Sequence, residues 1–162
     1  MTSYRPPIHL PDDHMRMVGI IAALWEHLDV TLQNAVAEIM SLKPIDVRLL
    51  TENLTVPTKL DILAAHARQA LPKDQITTFN KAISAVQMAY GQRNAHVHAK
   101  WHHNGSDPNK PWRFAVRTKG GKISITQTPT ELSELEAAAT QIWDAREELI
   151  QILKSYGMFK DS

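Results

Sequence analysis

The residues able to do chemistry crowd into one stretch, Tyr90 to His103, which holds four of the eight histidines together with Arg93, Asn94, Lys100 and Trp101. Arg93, Asn94 and His98 are the set whose types suit one reaction. Histidine takes and gives a proton near neutral pH. Arginine stays charged and presents a planar fork of donors that matches phosphate oxygens. Asparagine holds an imidazole or a sugar hydroxyl by hydrogen bonding. Together they suffice for cleavage of RNA without a metal. One group removes the proton of a ribose 2′-OH, that oxygen attacks the neighbouring phosphate, and the guanidinium stabilises the charge growing on the phosphorus oxygens. The same three groups equally bind a phosphate without breaking any bond.

Spacing sets the geometric problem. On a regular helix of about 100° per residue, Asn94 and His98 share a face, whereas Arg93 and His98 diverge by about 140°. Three arrangements would bring the latter two together. The long arginine could bend into a cleft, the helix could loosen near Gly91, or a cleft between two copies could pair Arg93 of one with His98 of the other. His98 and His102, four apart, are also spaced to hold zinc. No carboxylate accompanies them at ligand spacing and the chain has no cysteine, so neither a metal nor another cofactor is expected. Around the central set, Lys100, Tyr90, Trp101 and His96 are the candidate substrate-binding residues. Lys100 suits a phosphate, and the two rings suit stacking on a base, though packing against the first or last helix is the stronger expectation for both. His96 is read first as a packing or solvent-facing residue. His102 and His103 are read as surface residues, and the four remaining histidines have no visible partners.

The elements that must position this stretch are mostly helical. After a Pro-rich arm over residues 1–10, Pro11-Asp12-Asp13 reads as a helix start with an acidic cap. Met15, Val18, Ala22, Trp25, Leu28, Leu32, Val36 and Ile39 then form one apolar stripe, so a long helix is expected from about residue 12 to about residue 42. Pro44 opens a short helix. Val56-Pro57-Thr58 reads as a further break before a third helix to Leu71, and Asp74 as a cap for a fourth that runs on through the Arg-His stretch. The turn-rich Gly105 to Pro111 ends it. Trp112 to Arg117 and Ile123 to Thr126 then alternate apolar and polar residues about Lys119-Gly120-Gly121-Lys122, the pattern of a β-hairpin. Thr128-Pro129-Thr130-Glu131 reads as a capping box, and Leu132 to Tyr156 as a last long helix stopped by Gly157. The fold expected is all-α, a four- to five-helix bundle with a small β-hairpin inserted before the last long helix. Residues 11–162 are expected to make one domain.

Composition agrees with one domain of 162 residues, enough to bury a core. No run is long and apolar enough to span a bilayer, and the N-terminus lacks a signal-peptide core, so the expectation is a cytoplasmic protein with no membrane partner. The net charge of +1 hides an asymmetry. Arg93 to Lys122 holds seven basic residues against one acid, leaving eleven basic and sixteen acidic elsewhere. Such a local field suits an anionic partner, RNA or a nucleotide. It equally suits a hairpin edge protected from sheet-to-sheet pairing.

Arg93-Asn94-x-x-x-His98 resembles the motif of the HEPN superfamily: arginine, a polar residue that is often asparagine, three more positions, then histidine. HEPN domains are all-α bundles with this motif toward the end of a helix, and here a long helix precedes it. The likeness in fold spans residues 12–157, while that in sequence is confined to Tyr90 to Trp101. The resemblance implies a metal-independent endoribonuclease of the kind found in toxin–antitoxin, phage-defence and RNA-processing systems. It further implies a homodimer with both motifs lining an interface cleft, and an antitoxin protein as a further partner. By position, Arg93 would stabilise the phosphate, Asn94 would be the polar second residue and His98 the acid/base. Ala99 stands where a glycine commonly follows the histidine, so the local backbone is expected to differ. Other HEPN domains are not catalytic, and the alternative is a module that binds nucleotide, RNA or a protein partner.

Overall fold

The computed structural model describes residues 10–119 and 121–158. Five helices make up most of it: α1 (Asp12–Ile39), α2 (Pro44–Thr51), α3 (Val56–Ala70), α4 (Lys73–Val97) and α5 (Leu132–Ser155). Between α4 and α5 lies an antiparallel sheet of β1 (Lys100–His102), β2 (Trp112–Lys119) and β3 (Lys122–Pro129), in that order. The chain is mostly helical, as expected, with five helices and the hairpin before the last of them, and a short third strand, β1, extends that hairpin into a three-stranded sheet. Of the N-terminal arm, residues 1–9 lie outside the described residues, as does Gly120 of the hairpin turn.

α1 and α5 pack on each other and both pack on α4, while α3 packs on α1 and α4. The core follows from the apolar stripes these helices carry. Trp25, Leu28, Leu32 and Val36 of α1 meet Leu135, Ile142, Leu149 and Leu153 of α5, with Phe79 and Val86 of α4 and Leu63 of α3 filling the remaining space. Truncating one such Leu or Ile to Ala costs about 2–5 kcal/mol, lost transfer energy plus a cavity. The α1 stripe is rotated slightly from expectation: Ile21 is fully buried and Met15 is exposed.

Several helix ends differ from the sequence reading. α1 and α4 begin after Pro11 and Pro72, whose backbones are extended, and their acids sit in the first turn without forming a side-chain cap. Pro57 does not break the chain. It occupies the first turn of α3, where a missing N–H is harmless, and Thr55 caps that helix through the Thr58 amide. The capping box of α5 is made by Glu131 and Glu134, not by Thr128 and Glu131. Pro129 is claimed instead by β3, opposite Trp112. At the other end, Gly157 takes φ +68 after α5, a conformation open to glycine at little steric cost.

One polar network crosses the core. Lys59 of α3 is 2% exposed and its Nζ donates to both carboxylate oxygens of Asp29 on α1, at 2.8 and 2.9 Å. Gln33 Nε2 donates to the same carboxylate at 2.9 Å. The stripe pattern alone puts Asp29 on the solvent side. A fully desolvated ammonium is tolerated because a paired carboxylate compensates it.

Candidate active site

The end of α4 decides the site. The helix runs unbroken through Gly91 and stops at Val97, with His98 as its C-cap at φ −95 and ψ 3. Two residues later the chain is a strand: Lys100, Trp101 and His102 pair with Phe114, Arg113 and Trp112. A fourth helix continuing to the Gly105 turn is therefore corrected, and so is the hairpin as the only paired strands. Trp101 explains the early stop. Its ring turns inward against the core and its Nε1 donates to the His96 carbonyl at 3.2 Å, one of the carbonyls left without a partner at a helix C-terminus. Its neighbours Lys100 and His102 point to the opposite face, as strand alternation requires.

His98 is the C-cap of α4, and the long Arg93 side chain bends along the last turn to reach it. Within one chain, Arg93 Nη1 donates to His98 Nε2 and also to Asn94 Oδ1, the latter at 2.9 Å. A second copy is not needed to bring arginine and histidine together, and neither is a break at Gly91. His98 accepts at Nε2, so its ring proton in this arrangement is on Nδ1. Arg93 is half-buried, and its Nε is buried without a partner.

Asn94 and His98 open onto a cleft of about 790 Å³ between the last turns of α4 and the sheet. Gly91 and Ala95 on the helix wall, and Ala99 just past its end, are small and leave room. The sheet wall carries Lys100 of β1, Arg113 to Val116 of β2, and Thr126 and Thr128 of β3. Register puts Arg113 opposite Thr128 and Ala115 opposite Thr126, so the arginine and both threonines share one face. No acidic residue is among the described residues lining the cleft, and Arg93 is not among them either. Arg93 holds two of the lining side chains, Asn94 and His98.

His96 lies beside the cleft. It is 2% exposed, stacks on Trp101 with ring centroids 6.5 Å apart, and accepts from Arg113 Nη1 at 3.0 Å through Nδ1. Burial, and then the charge of Arg113, lower its pKa from the usual 6.5 to about 4, so at neutral pH the ring is uncharged and free to accept. Tyr90 packs on Trp25 of α1 with centroids 5.4 Å apart. Of the four candidate substrate-binding residues, only Lys100 lines the cleft, while Tyr90, Trp101 and His96 serve packing and positioning. His102 is exposed and meets the edge of Phe114. It lies on a strand and shares no helix face with His98, which removes the basis of a helical zinc pair. Among the described residues no group of three or more His, Cys, Asp or Glu side chains is placed to hold a metal.

The basic segment divides in the same way. Lys110 is tied to Glu131 at 2.7 Å, outside the cleft, and that carboxylate raises its pKa. Lys100 and Arg113 both line the cleft, from opposite faces of the sheet. Sequence reasoning counts Arg113 in the local charge but does not single it out. The alternation of β2 offers a signal, since Arg113 and Ala115 fall on one face and Phe114 and Val116 on the other. The buried His14 spans from the start of α1 to the loop before α5, with Nε2 donating to the Thr130 carbonyl at 3.2 Å. Comparison with protein-family models, curated proteins and solved structures finds no match to this chain. No helix of the described residues is long and apolar enough to cross a membrane.

Proposed function

We propose that the cleft is the active site of a metal-independent endoribonuclease of HEPN type. The observation that carries this reading is the direct contact of Arg93 with His98 and Asn94, in one chain, at a cleft whose described lining has two cations and no acid. An RNA phosphate entering it would compete with His98 for the Arg93 donor. That exchange leaves His98 Nε2 free to take the proton of the adjacent 2′-OH. The 2′-oxygen then bonds to phosphorus, the bond from phosphorus to the 5′-oxygen breaks, and that oxygen takes up a proton. The products are a 2′,3′-cyclic phosphate and a 5′-hydroxyl. Arg93 and Lys100 stabilise the charge on the non-bridging oxygens, and Asn94 orients the arginine.

The test is a panel of RNAs incubated with the protein in EDTA. Cleavage that persists in EDTA, leaves cyclic phosphate ends and falls about 10²–10⁴-fold in His98→Ala, the usual range for a lost general acid–base group, is the expected result. A folded protein that cuts no RNA in this panel sinks the enzyme reading. A toxin role with an antitoxin partner, and a dimer, belong to the HEPN resemblance, and gel filtration with light scattering measures the second directly.

A further inference from the structure

Arg113 is a half-buried cation with no carboxylate partner among the described residues. Its only hydrogen bonds there go to the neutral ring of His96. Arginines withdrawn from water are ordinarily paired with an acid. This one instead faces a cleft that offers none, with the hydroxyls of Thr126 and Thr128 on the same sheet face. One terminal nitrogen is held by His96, which fixes the guanidinium, and the other nitrogens remain available to an incoming oxyanion. Arg93, by contrast, is tied to Asn94 and His98 on the helix side. Each guanidinium is held on its own wall of the cleft, Arg93 on α4 and Arg113 on β2.

From this we infer that Arg113, with Thr126 and Thr128, forms a second phosphate subsite on the sheet wall, taking the phosphate next to the one at His98 in a single RNA strand. The inference rests on the ribonuclease reading for the identity of the strand. The subsite itself is a binding claim and stands or falls on binding. His96 acts here as a positioning residue: it holds the arginine and touches no substrate.

The probes are 2′-O-methyl oligoribonucleotides, which cannot be cut by 2′-OH attack. A dinucleotide carries one phosphodiester and a tetranucleotide three. Wild-type protein should bind the tetranucleotide about tenfold or more tightly than the dinucleotide. Arg113→Gln, which retains an N–H donor for His96, should abolish most of that difference and leave dinucleotide binding unchanged. Its tetranucleotide affinity should also lose about 0.7 from the slope against log salt, the amount for one single-strand phosphate contact. Arg113→Lys should restore the slope and part of the affinity. A merely structural arginine would weaken both probes alike. Equal loss for both probes, or no loss for either, overturns the subsite, and so does a wild-type protein that binds neither. Length-dependent binding lost in Arg113→Gln, in a protein that never cuts RNA, would keep the subsite and reject the ribonuclease.

Discussion

Acid should destabilise this protein through His96, by an amount that can be worked out. The ring is 2% exposed, so solvent does little to soften its environment. Its pKa is lowered to about 4 in the folded chain, against about 6.5 in the unfolded one. The unfolded chain therefore binds more protons between those values, and stability falls as pH falls. Above pH 6.5 the effect vanishes, and below about 4 it levels off. Each pH unit between the two values is worth about 1.4 kcal/mol, so the full effect is limited to about 3 kcal/mol and the part between pH 7 and pH 5 to about 2 kcal/mol. Urea unfolding of wild type and His96→Gln at pH 7, 6 and 5 isolates this amount. Carboxylates and other histidines titrate in both proteins and cancel in the difference. Glutamine keeps an acceptor for Arg113 but loses the stacking on Trp101, which adds an offset that does not change with pH. The gap between the two proteins should shrink, or reverse, by about 2 kcal/mol from pH 7 to pH 5. Parallel curves would show that His96 is not held neutral by its surroundings, and its role in positioning Arg113 would fall with that result.

Two further predictions concern the scaffold. Asp29→Ala leaves the Lys59 ammonium buried and uncompensated and should cost about 3–5 kcal/mol in chemical denaturation, whereas Lys59→Met with Asp29→Leu, which removes both charges, should cost much less. Gly157→Ala should lower stability by about 1 kcal/mol, because alanine must adopt the positive φ that follows α5. A thermal melt that moves by less than about a degree would deny that role to the glycine.

Much of the scaffold is legible in the sequence because its signals are local. The α1 and α5 stripes, the alternation of β2 and β3 and the glycine after α5 each follow from one residue's relation to its near neighbours. What escapes the sequence depends on partners far along the chain. α4 stops at Val97 because Trp101 and β2 claim the next residues, and a strand of three residues that includes a lysine and a histidine has no periodicity to announce it. Nothing local marks Lys59 as buried, because Asp29, thirty positions earlier, is what makes its burial tolerable. The grouping of Arg93, Asn94 and His98 is legible as composition and spacing. Its geometry is not, since five-residue spacing sets Arg93 and His98 about 140° apart on a helix and only the reach of the arginine side chain brings them together. Arg113 is hidden for a related reason, because its importance comes from facing α4 across the cleft, a relation set by the sheet.

The central claim is that Arg93 and His98 direct a ribose 2′-oxygen onto its own phosphate. The most direct measurement uses a DNA oligonucleotide with a single ribonucleotide, incubated with the protein in EDTA and read by mass spectrometry. The expected result is one cut, immediately 3′ to the ribose, with a 2′,3′-cyclic phosphate on one product and a 5′-hydroxyl on the other. No cut is expected in the all-DNA strand or in the strand incubated with His98→Ala. Cutting of the all-DNA strand, products ending in a 3′-hydroxyl, or unchanged cutting by His98→Ala would contradict the claim.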